Sequence, residues 1–180
     1  MCAVAQRLIG DWGREIAVMN EAKPFLNIHS DAEYESNEKG PFREAFFAIS
    51  ERLGAKKLGY SVMVLDPGYK ACPFHSHRIN EEMFLVLSGQ GTLRFGDREY
   101  AIKPHDIIAC PPGGPELAHQ IINTGDEPLQ VLCVSTNEPV DVCEYPDSGK
   151  TLTVCGPQGN RSFRHITRFE DAVDYYDGEL

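Results

Sequence analysis

Two histidines one residue apart, His75 and His77, are the chemically most informative feature of this 180-residue chain. On an extended strand, side chains alternate between the two faces, so both imidazoles would point to the same side. Glu82 opens the next apolar run, and a short turn would bring its carboxylate back to the imidazoles. A third histidine, His119, begins a strand-like segment far downstream. Three imidazoles and one carboxylate that converge from separate strands predict a metal site with room for a further ligand.

The predicted ligands His75, His77, Glu82 and His119 suit a divalent transition metal such as Zn, Fe, Mn or Ni. The general affinity order of these ions leaves the identity open. An octahedral ion with these protein ligands would keep adjacent open positions, which fit a small molecule that offers two oxygens. The absence of a cysteine from the set argues against a closed structural zinc site. One alternative stays open, in which the histidines bind Glu82 and water around an empty site.

The elements that must position these ligands are short. From Phe42 onwards, apolar runs alternate with Gly, Pro and Asp, and nine of the runs have the length and composition of strands. Many short strands at this spacing favour an antiparallel sandwich or barrel over alternating strands and helices. The predicted strands cover residues 45–50, 57–65, 72–77, 82–88, 91–95, 98–102, 107–110, 119–123 and 129–135.

Three segments follow from this pattern: an irregular N-terminal extension (1–41), a β-barrel domain (42–145) and a C-terminal extension (146–180). Residues 167–170 fit a helix-capping box, and apolar side chains then recur at helical spacing. These are Phe169, Ala172, Val173 and Tyr176. The C-terminal extension is therefore predicted to contain a helix that docks on the outside of the barrel.

Composition excludes several classes of partner. The net charge is −10, from 27 acidic against 17 basic residues, and no basic cluster is longer than a pair, so neither nucleic acid nor an anionic membrane surface is expected as a partner. The longest apolar stretches have five residues, far fewer than the ~20 needed to span a bilayer. Six scattered cysteines without a Cys-x-x-Cys pair predict free thiols. With no signal peptide in the N-terminal residues, these features predict a cytoplasmic protein.

The order of these residues resembles the cupin superfamily. In its first motif a glycine precedes His-x-His, and a glutamate and a second glycine follow at fixed spacings. Its second motif ends in a histidine and, after three residues, an asparagine. Gly68 lies one residue further from the histidines than the usual spacing, whereas the other positions match. The matching residues are His75, His77, Glu82, Gly89, His119 and Asn123, and the resemblance covers residues 56–136.

One departure from the cupin pattern falls in a turn. Where cupins usually read Pro-Gly-Asp, this chain has Pro104, His105 and Asp106. A tight turn often requires a positive φ at the central position, which glycine adopts freely and other residues adopt at a cost. The sequence therefore predicts local strain at His105 that leaves the ligands untouched.

The resemblance implies a double-stranded β-helix, or jelly roll, that forms a homodimer and binds a small molecule in the barrel lumen. It points to a group of small bacterial cupins of uncharacterised function. Three functions fit: a metal-dependent enzyme on a small oxygen-rich metabolite (dioxygenase, isomerase or lyase type), a non-catalytic metal-dependent module that binds or senses a small molecule or sugar, and a protein whose metal only stabilises the barrel. The fold cannot decide among them. No basic phosphate clamp is visible in the sequence, which disfavours sugar-phosphate chemistry.

Overall fold

Residues 23–179 are described by this computed structural model, and within them the apolar runs form thirteen strands. The strands are β1 (Glu35–Lys39), β2 (Phe42–Ala48), β3 (Leu58–Leu65), β4 (Ser76–His77), β5 (Glu82–Ser88), β6 (Gly91–Phe95), β7 (Arg98–Ile102), β8 (Ile107–Cys110), β9 (His119–Ile122), β10 (Leu129–Thr136), β11 (Val140–Tyr145), β12 (Lys150–Cys155) and β13 (Phe163–Arg168). The helical elements of the same residues are three 3₁₀ turns, at Pro115–Leu117, Pro146–Ser148 and Phe169–Asp171. This part of the chain has no helix long and apolar enough to cross a membrane.

The strands pair antiparallel in three sheets. The largest sheet has the order β1-β2-β3-β10-β5-β8, and the smaller sheets have the orders β7-β6-β9 and β13-β12-β11-β4. His75 and His119 connect the two smaller sheets, because the backbone nitrogen of each donates to the carbonyl of the other at 3.2 and 2.8 Å. Together the smaller sheets form the second layer of a jelly-roll sandwich, and two of the predicted ligands lie at the seam between them.

The main apolar core lies between the two layers. Met63, Val86 and Val131 of the large sheet pack with Leu93 and Ile121 of the sheet β7-β6-β9, and all five are buried. Their alternation along each strand sets the register, since a slip by one residue would turn them to the other face. The same register directs Glu82, which shares the strand parity of Val86, into the space between the layers.

The outer face of the large sheet carries a second apolar cluster. Phe47, Ile49 and Val62 are buried there, and Leu26 and Ile28 from the irregular segment before β1 pack on them. Burying apolar side chains on both faces makes the centre of this sheet rigid. The irregular N-terminal segment therefore stabilises the sheet that carries Glu82.

All nine predicted strands overlap observed strands, and the predicted jelly-roll β fold is confirmed. Four further strands, β1, β11, β12 and β13, have no counterpart in the sequence prediction. Strands β1 and β13 are exposed along most of their length, so their side chains show little apolar alternation. β1 lies within the predicted extension 1–41, and β12 and β13 lie within the predicted extension 146–180.

The predicted C-terminal helix is wrong. The predicted capping box of residues 167–170 does not form; the N-cap is Arg168, one residue later, and its backbone nitrogen donates to Oδ2 of Asp171 at 3.4 Å. This contact starts only the 3₁₀ turn Phe169–Asp171. The apolar side chains that were expected to pack are exposed, Phe169 to 54% and Val173 to 73%. Short helices in water gain most of their stability from packing, which these residues lack. The preceding residues instead pair with β12 as strand β13.

The strained turn predicted at His105 is confirmed. His105 has φ of 77°, and it is the one non-glycine residue of the described chain with a positive φ. Its backbone nitrogen donates to the carbonyl of Val86 at 2.9 Å, a bond that holds the turn in place whatever the side chain. The left-handed conformation costs a non-glycine residue about 1 kcal/mol.

Replacing His105 with glycine is therefore expected to stabilise the fold by about 1 kcal/mol, because glycine adopts the same φ without the clash. Urea unfolding of wild type and variant measures the difference. Asp126, an exposed turn residue without a positive φ, is the matched control, and its change to glycine is expected to lower stability slightly. An H105G variant no more stable than wild type would contradict the strain at this turn.

Candidate metal centre

The four predicted ligands lie at the edges where the two layers meet. His75 immediately precedes β4, His77 lies on it, and Ser76 between them points to the opposite face. Glu82 is the first residue of β5, after the loop 78–81, and His119 is the first residue of β9. Strand alternation and two strand starts thus bring four polar side chains into one region of the lumen.

The side chains converge on one carboxylate oxygen. Oε2 of Glu82 lies 3.0 Å from Nε2 of His119, 3.5 Å from Nε2 of His77 and 3.8 Å from Nε2 of His75. His75, Glu82 and His119 are each less than 5% exposed, and the side chain of His77 is 12% exposed. The structure therefore brings all four sequence-predicted residues together, with one nitrogen of each ring directed to a common centre.

The other ring nitrogen of each histidine faces an oxygen. Nδ1 of His75 lies 2.9 Å from the carbonyl of Pro73, and Nδ1 of His119 lies 3.3 Å from the carbonyl of Leu117. Carbonyl oxygens only accept, so Nδ1 of His75 carries the proton and donates it. This fixes the tautomer in which Nε2 of His75 has a free lone pair, as a metal-binding histidine requires. His119 instead faces an acceptor with both nitrogens, because its Nε2 lies 3.0 Å from Oε2 of Glu82 and donates to it in the absence of a metal.

Two inward nitrogens have no hydrogen-bond partner among residues 23–179. Nε2 of His75 and Nε2 of His77 are buried and make no hydrogen bond, because the distances to Glu82 are too long. A buried polar atom without a partner carries a desolvation penalty of about 1–3 kcal/mol. A divalent cation at the centre would bind Nε2 of His75 and the carboxylate, and would replace the proton on Nε2 of His77, so this donor set fits a metal ion.

The protonation of the rings follows their surroundings. Burial, reinforced by the neighbouring His119, holds the pKa of His75 well below its usual value, so this imidazole is neutral. Burial alone would also lower the pKa of His77, but its hydrogen bond to Asp141 outweighs burial and raises the pKa to about 10. Without a metal, His77 therefore holds a proton that a bound cation would displace.

Asp141 is a buried carboxylate that the sequence prediction missed. It lies on β11, which pairs with β4, and its Oδ2 lies 2.5 Å from Nδ1 of His77. The same carboxylate accepts from the backbone nitrogen of Ile79 at 3.1 Å and from the side-chain amide of Asn80 at 2.8 Å. Burial alone would raise its pKa, but the hydrogen bond from His77 leads the effects that lower it to about 2. Asp141 thus orients a predicted ligand and holds the loop before β5.

Cys143 contacts the same side of His77. Its Sγ lies 3.2 Å from Nδ1 of His77 and 3.9 Å from Oδ2 of Asp141. These three side chains offer a second set of donor atoms within 4.8 Å of one another. Nδ1 of His77 is already hydrogen-bonded to Asp141. We therefore infer that Asp141 and Cys143 orient the His77 ring and do not form a second metal site.

A cavity of about 590 Å³, including its open mouth, adjoins the centre. His75, Glu82 and His119 form part of its wall, and Phe84 and Ile121 contribute apolar surface. Val86, which shares the strand parity of Phe84, is completely buried in the core. The predicted ligands therefore face a space that a small molecule could enter.

Residues adjacent to the motifs have other positions. Glu81 is exposed, and its strand parity, opposite to that of Glu82, directs it away from the centre. Asn123 is a turn cap, since its side-chain amide donates to Leu65 and Glu127 and its oxygen accepts from Gly125. The remaining histidines, His29, His105 and His165, are exposed.

No disulfide joins the described cysteines, namely Cys72, Cys110, Cys133, Cys143 and Cys155. The sixth, Cys2, lies outside the described residues. Cys72 lines the cavity, with Sγ 3.4 Å from Nδ1 of His75. Burial raises the pKa of the Cys133 thiol to about 12, so this group is not a reactive thiolate.

Comparison with known proteins identifies a shared domain. The sequence profile of the cupin domain matches residues 61–135. Auxin-binding protein T92 of Nicotiana tabacum is 31% identical over 135 residues, which span 69% of this chain and 70% of that protein. The chain spans about half the length of other curated relatives.

Two solved structures resemble most of the chain. A sugar phosphate isomerase of the cupin superfamily from Silicibacter pomeroyi aligns with a TM-score of 0.71 and 25% identity, over 86% of this chain and 98% of that one. A protein from Acidithiobacillus ferrooxidans, provisionally assigned as a sugar phosphate isomerase, aligns with a TM-score of 0.72 and 25% identity, over 84% and 96%. Both alignments extend well beyond the residues that the domain profile matches.

Proposed function

This chain belongs to the cupin superfamily, and on that premise we propose that it binds a divalent transition metal through His75, His77, Glu82 and His119. The observation that carries the proposal is the pair of buried Nε2 atoms without hydrogen-bond partners that face Glu82. The carbonyl oxygen of Pro73 behind His75 supports it, because it fixes the tautomer of that ring that a metal requires. Zn, Fe, Mn and Ni all suit these ligands.

We propose that the metal-loaded protein is an enzyme that acts on a small oxygen-rich metabolite. The bound ion would polarise an oxygen of that molecule. Phe84 and Ile121 would exclude water, which strengthens electrostatic contacts in the cavity. Glu44, a buried carboxyl residue on the cavity wall, is our candidate for proton transfer. Two structural relatives named as isomerases favour isomerase chemistry over dioxygenase or lyase chemistry.

A second candidate is a non-catalytic module that binds or senses a small molecule or sugar with the aid of the metal. The relative from tobacco favours it, because that protein is named for binding and covers the same domain. The two candidate functions differ in whether they require a proton-transfer group such as Glu44. An enzyme needs a group that moves protons beside the ligand, whereas a binding module functions without one.

Metal analysis and a proton-exchange assay test the proposal. Protein purified without added metal is expected to hold about one transition-metal ion per chain by mass spectrometry. NMR in D₂O then follows exchange of the proton next to the carbonyl of small hydroxy-carbonyl compounds. The enzyme candidate predicts exchange that Glu44→Gln abolishes while the metal stays bound. Ligand binding without exchange would support the binding module, and absence of any bound metal would overturn both.

Metal content is expected to fall as the solution is acidified below about pH 6. Ligand histidines bind a cation only when Nε2 is deprotonated, and their usual pKa is about 6.5. The sign follows from competition: each drop in pH favours the proton over the metal, most strongly at His77, whose pKa without a metal is about 10. Dialysis at a series of pH values followed by metal analysis measures the loss. Stoichiometric metal below about pH 5 would speak against ligation by histidine.

We further propose a cytoplasmic homodimer that binds neither nucleic acid nor membranes. The net charge of −10 supports the second part, because anionic polymers and surfaces would be repelled. The described cysteines are not joined by disulfides, which fits a reducing compartment. Light scattering measures the dimer directly.

A further inference from the structure

We infer that the cavity binds an uncharged hydroxy-carbonyl compound, such as a free sugar or hydroxyketone, and discriminates against its phosphate ester. This inference rests on the proposed function, since it names the class of molecule that the metal centre would hold. It depends on two buried serine hydroxyls, one glycine and the charges of the cavity wall.

The strand register places a polar row next to the centre. Ser135 of β10 pairs with Glu82 of β5 on one side and with Gly59 of β3 on the other. Ser61 of β3, which pairs with Cys133, lies in the next row on the same face. Directly paired residues have Cβ atoms about 4.5–5.5 Å apart, so Ser135 is an immediate neighbour of the predicted carboxylate ligand.

Both serine hydroxyls are buried without ordinary partners. Ser61 is 1% exposed and Ser135 is 7% exposed, and both line the cavity. Oγ of Ser135 makes no hydrogen bond within the described part of the chain. Oγ of Ser61 has no oxygen or nitrogen partner there, and its contact with the thiol of Cys133 is a weak one. Water or a ligand must satisfy these hydroxyls, because burying one without a partner costs about 1–3 kcal/mol. A ligand with hydroxyl or carbonyl groups on the side away from the centre would do so.

Gly59 lines the cavity next to these serines. It is buried on β3, and its parity with Ser61 means that a side chain at this position would point toward the cavity. A glycine inside a strand weakens the strand and often marks a close approach by a ligand. Gly59 lies directly opposite Ser135, which on its other side is paired with Glu82.

The charge of the wall disfavours an anionic group. The acidic residues that line the cavity are Glu44 and Glu82, and no lysine or arginine is among the described residues that line it. Arg94 of β6, which pairs with the cavity residue Gln120, binds Asp147 with both terminal nitrogens, at 2.6 and 2.8 Å. Among the described residues that line the cavity, a phosphate would meet carboxyl groups and no cationic side chain, so the metal alone would have to offset its desolvation.

Titration of the Co(II)-loaded protein with dihydroxyacetone and with dihydroxyacetone phosphate tests the inference. The visible spectrum of Co(II) changes when a ligand enters its coordination sphere, and saturation-transfer NMR detects binding without the metal. We expect dihydroxyacetone to bind, and the phosphate ester to bind at least about tenfold more weakly, which corresponds to about 1.4 kcal/mol. Equal or tighter binding of the phosphate ester, or no binding of dihydroxyacetone by either method, would overturn the inference.

Variants locate the binding site. S61A and S135A are each expected to weaken dihydroxyacetone binding about two- to tenfold with the Co(II) content unchanged. Gly59→Val should abolish dihydroxyacetone binding by placing a side chain in the cavity, and Gly59→Ala is the milder substitution if valine impairs folding.

Ser88→Ala, at the exposed end of β5, is the matched control and should leave the affinity for dihydroxyacetone unchanged. Unchanged affinity in both cavity serine variants would overturn the site, whereas loss of Co(II) from the wild type would count against the proposed function instead.

Discussion

Replacing His77 with alanine is expected to remove the bound metal and to lower the melting temperature of the metal-saturated protein. One of the two inward nitrogens without partners disappears, and the three remaining ligands hold the cation less tightly. A ligand present at 100–1,000 times its dissociation constant stabilises the fold by about 2.7–4.1 kcal/mol, and the variant would lose this contribution. For a chain of this size, a loss of that order lowers the melting temperature by roughly 5–15 °C.

Calorimetry with and without metal separates this effect from the loss of contacts. His77 also binds Asp141, so H77A lowers stability even without metal. The metal-dependent part is the difference between saturated and chelator-treated samples, which is expected to vanish in H77A. Glu81, exposed and adjacent to Glu82, is the matched control, and Glu81→Gln should keep both the metal and the difference. Stoichiometric metal in H77A, or its loss in the Glu81 variant, would show that the ligands are wrongly assigned.

The ligands could be predicted from the sequence because their geometry is largely local. His75 and His77 share a face by strand alternation, and Glu82 follows after one short turn. His119 is distant in sequence, but it starts a strand of its own and pairs with His75. The strained turn at His105 could be predicted equally well, because the sequence shows directly that a non-glycine residue occupies the turn position that requires a positive φ.

The side chain that orients His77 could not be predicted in the same way. Asp141 is 64 residues from His77 in sequence, and it meets His77 only because β11 pairs with β4. Such pairing depends on the complete topology. Hydrophobicity alone would predict that Val140 and Val142 are buried and that Asp141, between them, is exposed. The observed exposure is inverted, because Val140 is 43% exposed and Asp141 is 1% exposed. Hydrogen bonds, which hydrophobic patterns do not encode, explain this inversion.

The C-terminal helix failed for a related reason. Local signals predicted the start of a helical turn to within one residue, since the 3₁₀ turn begins after Arg168 rather than after Thr167. Continuation of a helix requires a surface to pack against, and Val173 and Tyr176 remain exposed. Local chemistry thus predicts where an element begins, whereas tertiary contacts decide how far it extends.

Replacing Asp141 with alanine is expected to destabilise the protein by about 3–5 kcal/mol and to weaken metal binding about 10–100-fold. The carboxylate accepts hydrogen bonds from His77, from the backbone of Ile79 and from the side chain of Asn80, and all three donors would be left buried or half-buried without it. His77 would also be free to rotate or to change tautomer. Urea unfolding in the presence of a chelator measures the first effect, and competition with a metal-binding dye measures the second.

Asp141→Asn separates control of the tautomer from support of the fold. One amide oxygen can still accept from Ile79, so the loss of stability should be smaller than in the alanine variant. The amide nitrogen, however, would donate toward Nδ1 of His77 and move the ring proton to Nε2, where it blocks the metal. Metal affinity should therefore fall about as far as in D141A. Asp147→Asn, a surface aspartate paired with Arg94, is the control and should leave metal affinity unchanged. Wild-type affinity in D141N would mean that His77 does not depend on Asp141 for its tautomer.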